Sequence, residues 1–235
     1  GGDGKKAMLL RRAISIAVDY EEYISIFANG RGVVAHSPIP PGIFGYQDSE
    51  DYYNAAIFNY ANKNIIKKSV EEAKKLLVMA GYSNGINQET GKPLVLYFEA
   101  TGAGADTYAF LNWLRKQFKK INIQLVTRVT DYNRFQEKMI NGTGQIFQWG
   151  WNADYPDPEN FLFLLYSKNG KVKFGGENAA NYSNKEFDKL FVNMKNMKNS
   201  KEREIIIKKM LEIIQNDSPW IWGYHPKSFS LSHKW

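Results

Sequence analysis

Cysteine is absent from all 235 residues, so neither a disulfide nor a thiolate metal site is available. Histidine occurs three times, at His36, His225 and His233. None has an i,i+4 partner, so the chain carries no His-rich metal motif, and no metal or cofactor is expected. No segment approaches the roughly 18 consecutive apolar residues of a membrane-crossing helix. Gly102-Ala103-Gly104 lacks the third glycine of a dinucleotide fingerprint. Neither a Gly-x-Ser-x-Gly elbow nor a phosphate-binding loop appears. Repeats and low-complexity stretches are missing as well. No nucleophile–base pair is recognisable, which argues against an enzyme.

What is present is a chain with a real core. Hydrophobic residues make up 43% of it, with a formal charge of +7, which brings nucleic acid and anionic surfaces into view. The basic pairs Lys67-Lys68, Lys74-Lys75, Lys119-Lys120 and Lys208-Lys209 sit opposite apolar stripes, as solvated helix faces do. With no zinc-finger spacing and no aromatic ladder among arginines, no nucleic-acid partner is expected.

The pattern predicts a helix from Lys6 to Asp19, an apolar segment to Phe27, and a loop marked by Gly30, Gly32, Pro38, Pro40, Pro41 and Gly42. Ser69 with Glu72 forms a capping box, and Gly81 stands where a left-handed C-cap belongs. Pro93 to Ala100 alternates as a strand, and Ala105 to Lys120 is helical with Phe110, Leu111, Leu114 and Phe118 on one face. Ile121 to Val129 is a strand. Asp131 caps a helix carrying Phe135, Met139 and Ile140, and a strand follows at 145–151. This alternation implies a parallel βαβ core. Ser183 with Glu186 suggests a second capping box, Ser200 opens a helix through Ile214, and Trp220 to Trp235 reads as one or two strands. If the strands are parallel, the connections Thr101 to Gly104, Thr130-Asp131 and Ala153 to Tyr155 share one sheet edge, where polar ligands are usually held.

One run stands out at that edge. Gln145 to Trp151 is aromatic and apolar, Pro156 keeps Tyr155 extended, and Asp157 can cap a helix with Pro158 at its first position. Asp154 belongs to neither the strand nor the cap. By position alone it reads as a turn aspartate satisfying backbone amides. Asp157, as a cap, does not pair with Asp154 as hydrolase carboxylates do. Trp149 and Trp151 share a face if the strand is regular, either in the core or walling a pocket. Tyr155 and Tyr182 either line a cleft or pack, and Asn178 and Asn181 order the loop ahead of position 184.

Trp151-Asn152-Ala153-Asp154-Tyr155-Pro156-Asp157-Pro158-Glu159-Asn160-Phe161-Leu162 resembles the signature of the family 5 extracellular solute-binding proteins, the peptide-binding components of ABC importers. Further stretches agree in the same order. They are Leu10 to Tyr20, Ser37 to Gly42, Ala73 to Tyr82, then Asn178, Tyr182, Asn184, Phe187 and Asp188, and finally Pro219 to Ile221. The resemblance implies an α/β, type II periplasmic-binding-protein-like lobe, with a central mixed, partly parallel sheet flanked by helices. Family members are longer, so residues 1–235 are expected to be a single C-terminal lobe of a two-lobed protein. On this reading residues 1–4 are a cloning remnant or linker, and 219–235 are strands returning toward a missing N-terminal lobe.

The resemblance further implies a monomeric, periplasmic or extracellular protein, with or without a lipid anchor, that binds peptides between its lobes and hands them to permease subunits. Nickel complexes, oligosaccharides or other solutes are alternative ligands, and a hydrolase is the remaining one. Asp154 then pairs with the peptide's ammonium group, Trp151, Tyr155 and Trp149 wall the site, and Asn152 anchors the ligand backbone.

Overall fold

The computed structural model describes residues 4–49, 52–61 and 64–234. Gly1 to Asp3 of the expected linker, and Trp235 at the end of the expected terminal strands, lie outside those residues. Two helices open the fold, α1 (Lys5–Ala17) and α2 (Tyr20–Phe27). The sequence shows the second only as an apolar segment. Asp19, taken as the end of the first helix, instead starts the second, its carboxylate accepting from the Glu21 and Glu22 amides.

Next come β1 (Gly32–Val34), the proline-rich loop, β2 (Phe58–Ala61), β3 (Asn64–Lys67) and α3 (Val70–Met79). The α3 ends are as expected. Ser69 and Glu72 exchange both capping-box bonds. Gly81, at φ +91°, lets its amide reach Val78 O and the Tyr82 amide reach Leu77 O, a Schellman ending.

The centre is β4 (Val95–Thr101), α4 (Ala105–Lys119), β5 (Gln124–Thr130), α5 (Tyr132–Ile140) and β6 (Ile146–Phe147). The sheet order is β5–β4–β6, and both pairings are parallel. Thr101 stands level with Thr130, so the strands' C-terminal ends share the predicted edge. The remaining elements are α6 (Glu159–Leu162), α7 (Lys171–Phe174), α8 (Lys185–Met194), α9 (Lys201–Asp217) and β7 (Tyr224–Pro226). The antiparallel pairs β1–β7 and β2–β3 stand beside the parallel sheet.

Further boundaries differ from expectation. The strand predicted over 145–151 pairs with β4 only at Ile146 and Phe147, and the chain then leaves the ladder. Asn184, not Ser183, caps α8, because its side chain reaches the Glu186 and Phe187 amides. Of the expected strands over 220–235, Tyr224 to Pro226 form the one strand present among the described residues, paired with β1. Residues 227–234 are exposed.

Alternation along β4 divides its two faces. Leu96, Phe98 and Ala100 join Leu77, Leu111 and Phe118 in one apolar cluster. Tyr97 and Glu99 point the other way. A second cluster gathers Phe161 and Leu162 against Phe187, Phe191, Ile207 and Met210. Trp222 packs against both clusters, which ties the sheet layer to the helices behind the aspartate turn.

Candidate functional site

The residues after β6 leave the sheet without regular structure, and two anchors hold them. Asp157 is the first. Its Oδ1 accepts from the Glu159 amide at 2.9 Å, one residue outside the expected cap position, since Pro158 stands at the N-cap of α6 and offers no side-chain bond. The same carboxylate meets Arg203 of α9, a residue only 2% exposed. Burial alone would raise the Asp157 pKa, but the Arg203 and Glu159 hydrogen bonds outweigh it and hold the carboxyl below its ordinary range.

Asn160 is the second anchor. It is buried in the first turn of α6. Its Oδ1 accepts from Trp151 Nε1 at 3.1 Å and from the Asp154 amide at 2.9 Å. One oxygen therefore fixes both an indole ring and the backbone carrying the carboxylate of interest.

The sequence-predicted residues separate accordingly. The Asp154 side chain is exposed and makes no hydrogen bond or ion pair among the described residues. The turn-aspartate account, in which this side chain satisfies local amides, is not what the geometry shows: here the Asp154 amide donates and the carboxylate is left to solvent. Trp151 is half-buried, its ring edge-on to Phe163 at 5.2 Å. Tyr155 is 47% exposed, and its hydroxyl donates to Glu159 Oε2. That bond, more than burial, raises the Tyr155 pKa. Asn152 is exposed and has no side-chain hydrogen bond among the described residues.

Trp149 does not share a face with Trp151, since the strand ends before either. It is 39% exposed, packs edge-on to Phe135 at 5.5 Å, and carries the Lys171 ammonium 5.2 Å from its ring centroid. Tyr182 packs rather than facing the edge. Its hydroxyl donates to Asp217 Oδ2 at 2.5 Å, and Phe187 lies against its ring. Asn178 orders the preceding loop as expected, with bonds to Tyr166 O, Tyr182 O and the Tyr182 amide.

Beneath the edge lies a buried ionic brace. Glu99, 2% exposed, accepts from Lys138 Nζ at 2.5 Å and from Arg128 Nη1 at 3.4 Å. The Arg128 guanidinium also stacks over Tyr97 at 3.9 Å. A buried carboxylate with two cations fixes α5 to β4 and β5 and so sets the floor under the edge.

Sequence reasoning passed over Asn160 and Arg203, although both leave a trace. Arg203 occupies the stripe of Ile207, Met210 and Ile214, at spacings of four, three and four, and a charge on an apolar stripe calls for a buried partner. Asn160 stands directly ahead of the apolar run from Phe161 to Leu165 and is buried with it.

A family model described as bacterial extracellular solute-binding proteins, family 5 Middle, matches residues 7–173. Heme-binding protein A of Haemophilus influenzae is 29% identical over 222 residues, which cover 94% of this chain and 37% of that protein. The oligopeptide-binding protein OppA of Bacillus subtilis is 24% identical over 89% of this chain and 35% of its own length. Among solved structures, the periplasmic binding protein DppA of Helicobacter pylori, in complex with the peptide STSA, superposes with a TM-score of 0.75. Its identity is 26%, covering 95% of this chain and 40% of that one. The chain therefore spans well under half the length of these relatives, and the fold is that of type II periplasmic binding proteins.

Proposed function

The chain belongs to the bacterial extracellular solute-binding proteins of family 5, and we propose that it is the C-terminal lobe of a peptide-binding subunit serving an ABC importer. The observation that carries this reading is Asp154. An acidic side chain follows the C-terminal end of β6 on a backbone pinned by Asn160, its carboxylate without a partner among the described residues. Closing a second lobe over that edge excludes water, and a desolvated carboxylate then favours a ligand cation strongly. A peptide's terminal ammonium supplies one with three donors. Trp151 and Tyr155 flank the position and offer amphipathic walls that tolerate varied side chains.

In this role the protein acts outside the cytoplasmic membrane as a monomer, whether or not a lipid tethers it. It closes by hinge bending and presents the closed form to permease subunits, and the peptide leaves intact. Calorimetry on the full-length protein tests the reading with one peptide in free-amine and N-acetylated forms. Preferential binding of the free amine is expected, with no new products by mass spectrometry. Equal affinities would remove the ammonium role of Asp154, and cleavage lost on replacing Asp154 would reinstate the hydrolase.

The 29% identity to heme-binding protein A favours a second reading, in which the ligand is a planar tetrapyrrole stacked on the edge aromatics. Haemin titration followed by its absorbance distinguishes the two.

A further inference from the structure

We propose that Asn160 is a positioning residue that sets ligand selectivity by holding Trp151 and Asp154 through a single oxygen. The inference rests on the peptide reading and adds the group that makes Asp154 selective. Asp154 and Trp151 lie in a segment with no strand or helix, so no ladder fixes either of them. What orients them is the pair of bonds to Asn160 Oδ1, 3.1 Å from the indole nitrogen and 2.9 Å from the Asp154 amide. Asn160 itself has little freedom, being buried and followed directly by Phe161 and Leu162, which are held in the second apolar cluster.

The coupling has a chemical consequence. An ammonium bound between a carboxylate and an indole face depends on their separation, because charge-assisted bonds and cation–π contacts both weaken with small displacements. A shared acceptor keeps that separation constant while the ligand's side chains vary. Asn160 touches no ligand in this account; it acts through the two groups that do.

Three substitutions in the full-length protein test this. Asn160→Leu removes the acceptor while keeping the same branched shape. Asn160→Gln keeps the carboxamide but displaces its oxygen by one methylene. Asn160→Asp keeps an oxygen where both donors expect it. The quantity measured is the affinity ratio between free-amine and N-acetylated forms of one peptide, alongside the Trp151 indole proton by NMR. Asn160→Leu and Asn160→Gln are expected to lower the ratio about tenfold, the scale of one misplaced hydrogen bond to a charged group. Asn160→Asp is expected to hold the ratio within about threefold and keep the downfield indole signal.

A ratio unchanged in Asn160→Gln while the indole signal moves would overturn the positioning role. So would a collapse of the ratio in Asn160→Asp with the indole signal retained. If Asn160→Leu does not fold, the Gln and Asp variants decide alone. A wild type that does not discriminate the two peptides defeats the ammonium reading itself, a different result from any of these.

Discussion

Arg203 and Asp157 lie 46 residues apart and meet at two points, Nη1 to Oδ2 at 2.8 Å and Nη2 to Oδ1 at 2.6 Å. Arg203 Nη1 also reaches Asn199 Oδ1 at 2.7 Å, and its guanidinium lies over the Phe44 ring. The cation thus joins α9, the aspartate turn and the proline-rich loop.

Breaking that pair from one side leaves an uncompensated charge. Arg203→Met is expected to cost about 3–5 kcal/mol of unfolding free energy. Adding Asp157→Asn should recover a good part of this, because asparagine caps a helix as well as aspartate does. Urea midpoints of the single and double variants give the comparison. A loss under about 1 kcal/mol in the single variant would mean that the pair is not buried in solution.

Asp154→Asn should behave in the opposite manner. Its side chain is exposed and unpaired among the described residues, so stability should change by less than about 0.5 kcal/mol. Binding of a free-amine peptide by the full-length protein should weaken by about 2–5 kcal/mol. N-acetylation should cost the wild type a similar amount and the variant much less. Additive losses around the double-mutant cycle would show that the carboxylate and the ammonium never meet.

Burial at the β1–β7 pair lowers His225 from 6.5 to about 4, assisted by His36 and opposed by a bond to the Ser37 backbone. The unfolded chain therefore binds a proton between these values that the folded chain refuses. Stability should fall as pH drops from about 6.5 to about 4, by roughly 3 kcal/mol, and this contribution is fully restored above the upper value. Asp157, held below its ordinary 3.8, adds its loss only at still lower pH. Urea midpoints at pH 7.5 and 4.5 measure the drop. His225→Gln should flatten it, and an unchanged slope would place the titrating group elsewhere.

Hydrogen exchange should find the terminal segment least protected. Phe229 and Leu231 are exposed, and the last backbone bond among the described residues joins the Lys227 amide to Arg31 O at 3.2 Å. Amides of 228–234 should exchange within seconds, while Leu96 and Phe98 in the central strand exchange with global unfolding. Protection of 228–234 equal to that of β4 would contradict the structure.

Much of the fold could be read locally because its signals are local. The Ser69 and Asp131 caps, the Gly81 ending and the alternation along Val95 to Thr101 each depend on a few neighbouring residues. From those elements the parallel order and the shared strand edge follow by connectivity alone. The length of the strand at 146 could not be read that way. Aromatic enrichment reports burial of either kind, and Trp149 and Trp151 spend theirs on Phe135 and Phe163 rather than on a ladder.

The sequence by itself determined that Asp154 follows the third parallel strand, since position in a βαβ unit is a matter of order along the chain. Only the tertiary structure decided what that aspartate is free to do. Its amide is taken by Asn160, the neighbouring Asp157 is neutralised by Arg203 from a helix far along the chain, and its own carboxylate is left facing solvent. Such pairings depend on distances closed by packing. They connect residues whose separation along the chain carries no period, which is why no local pattern foretells them.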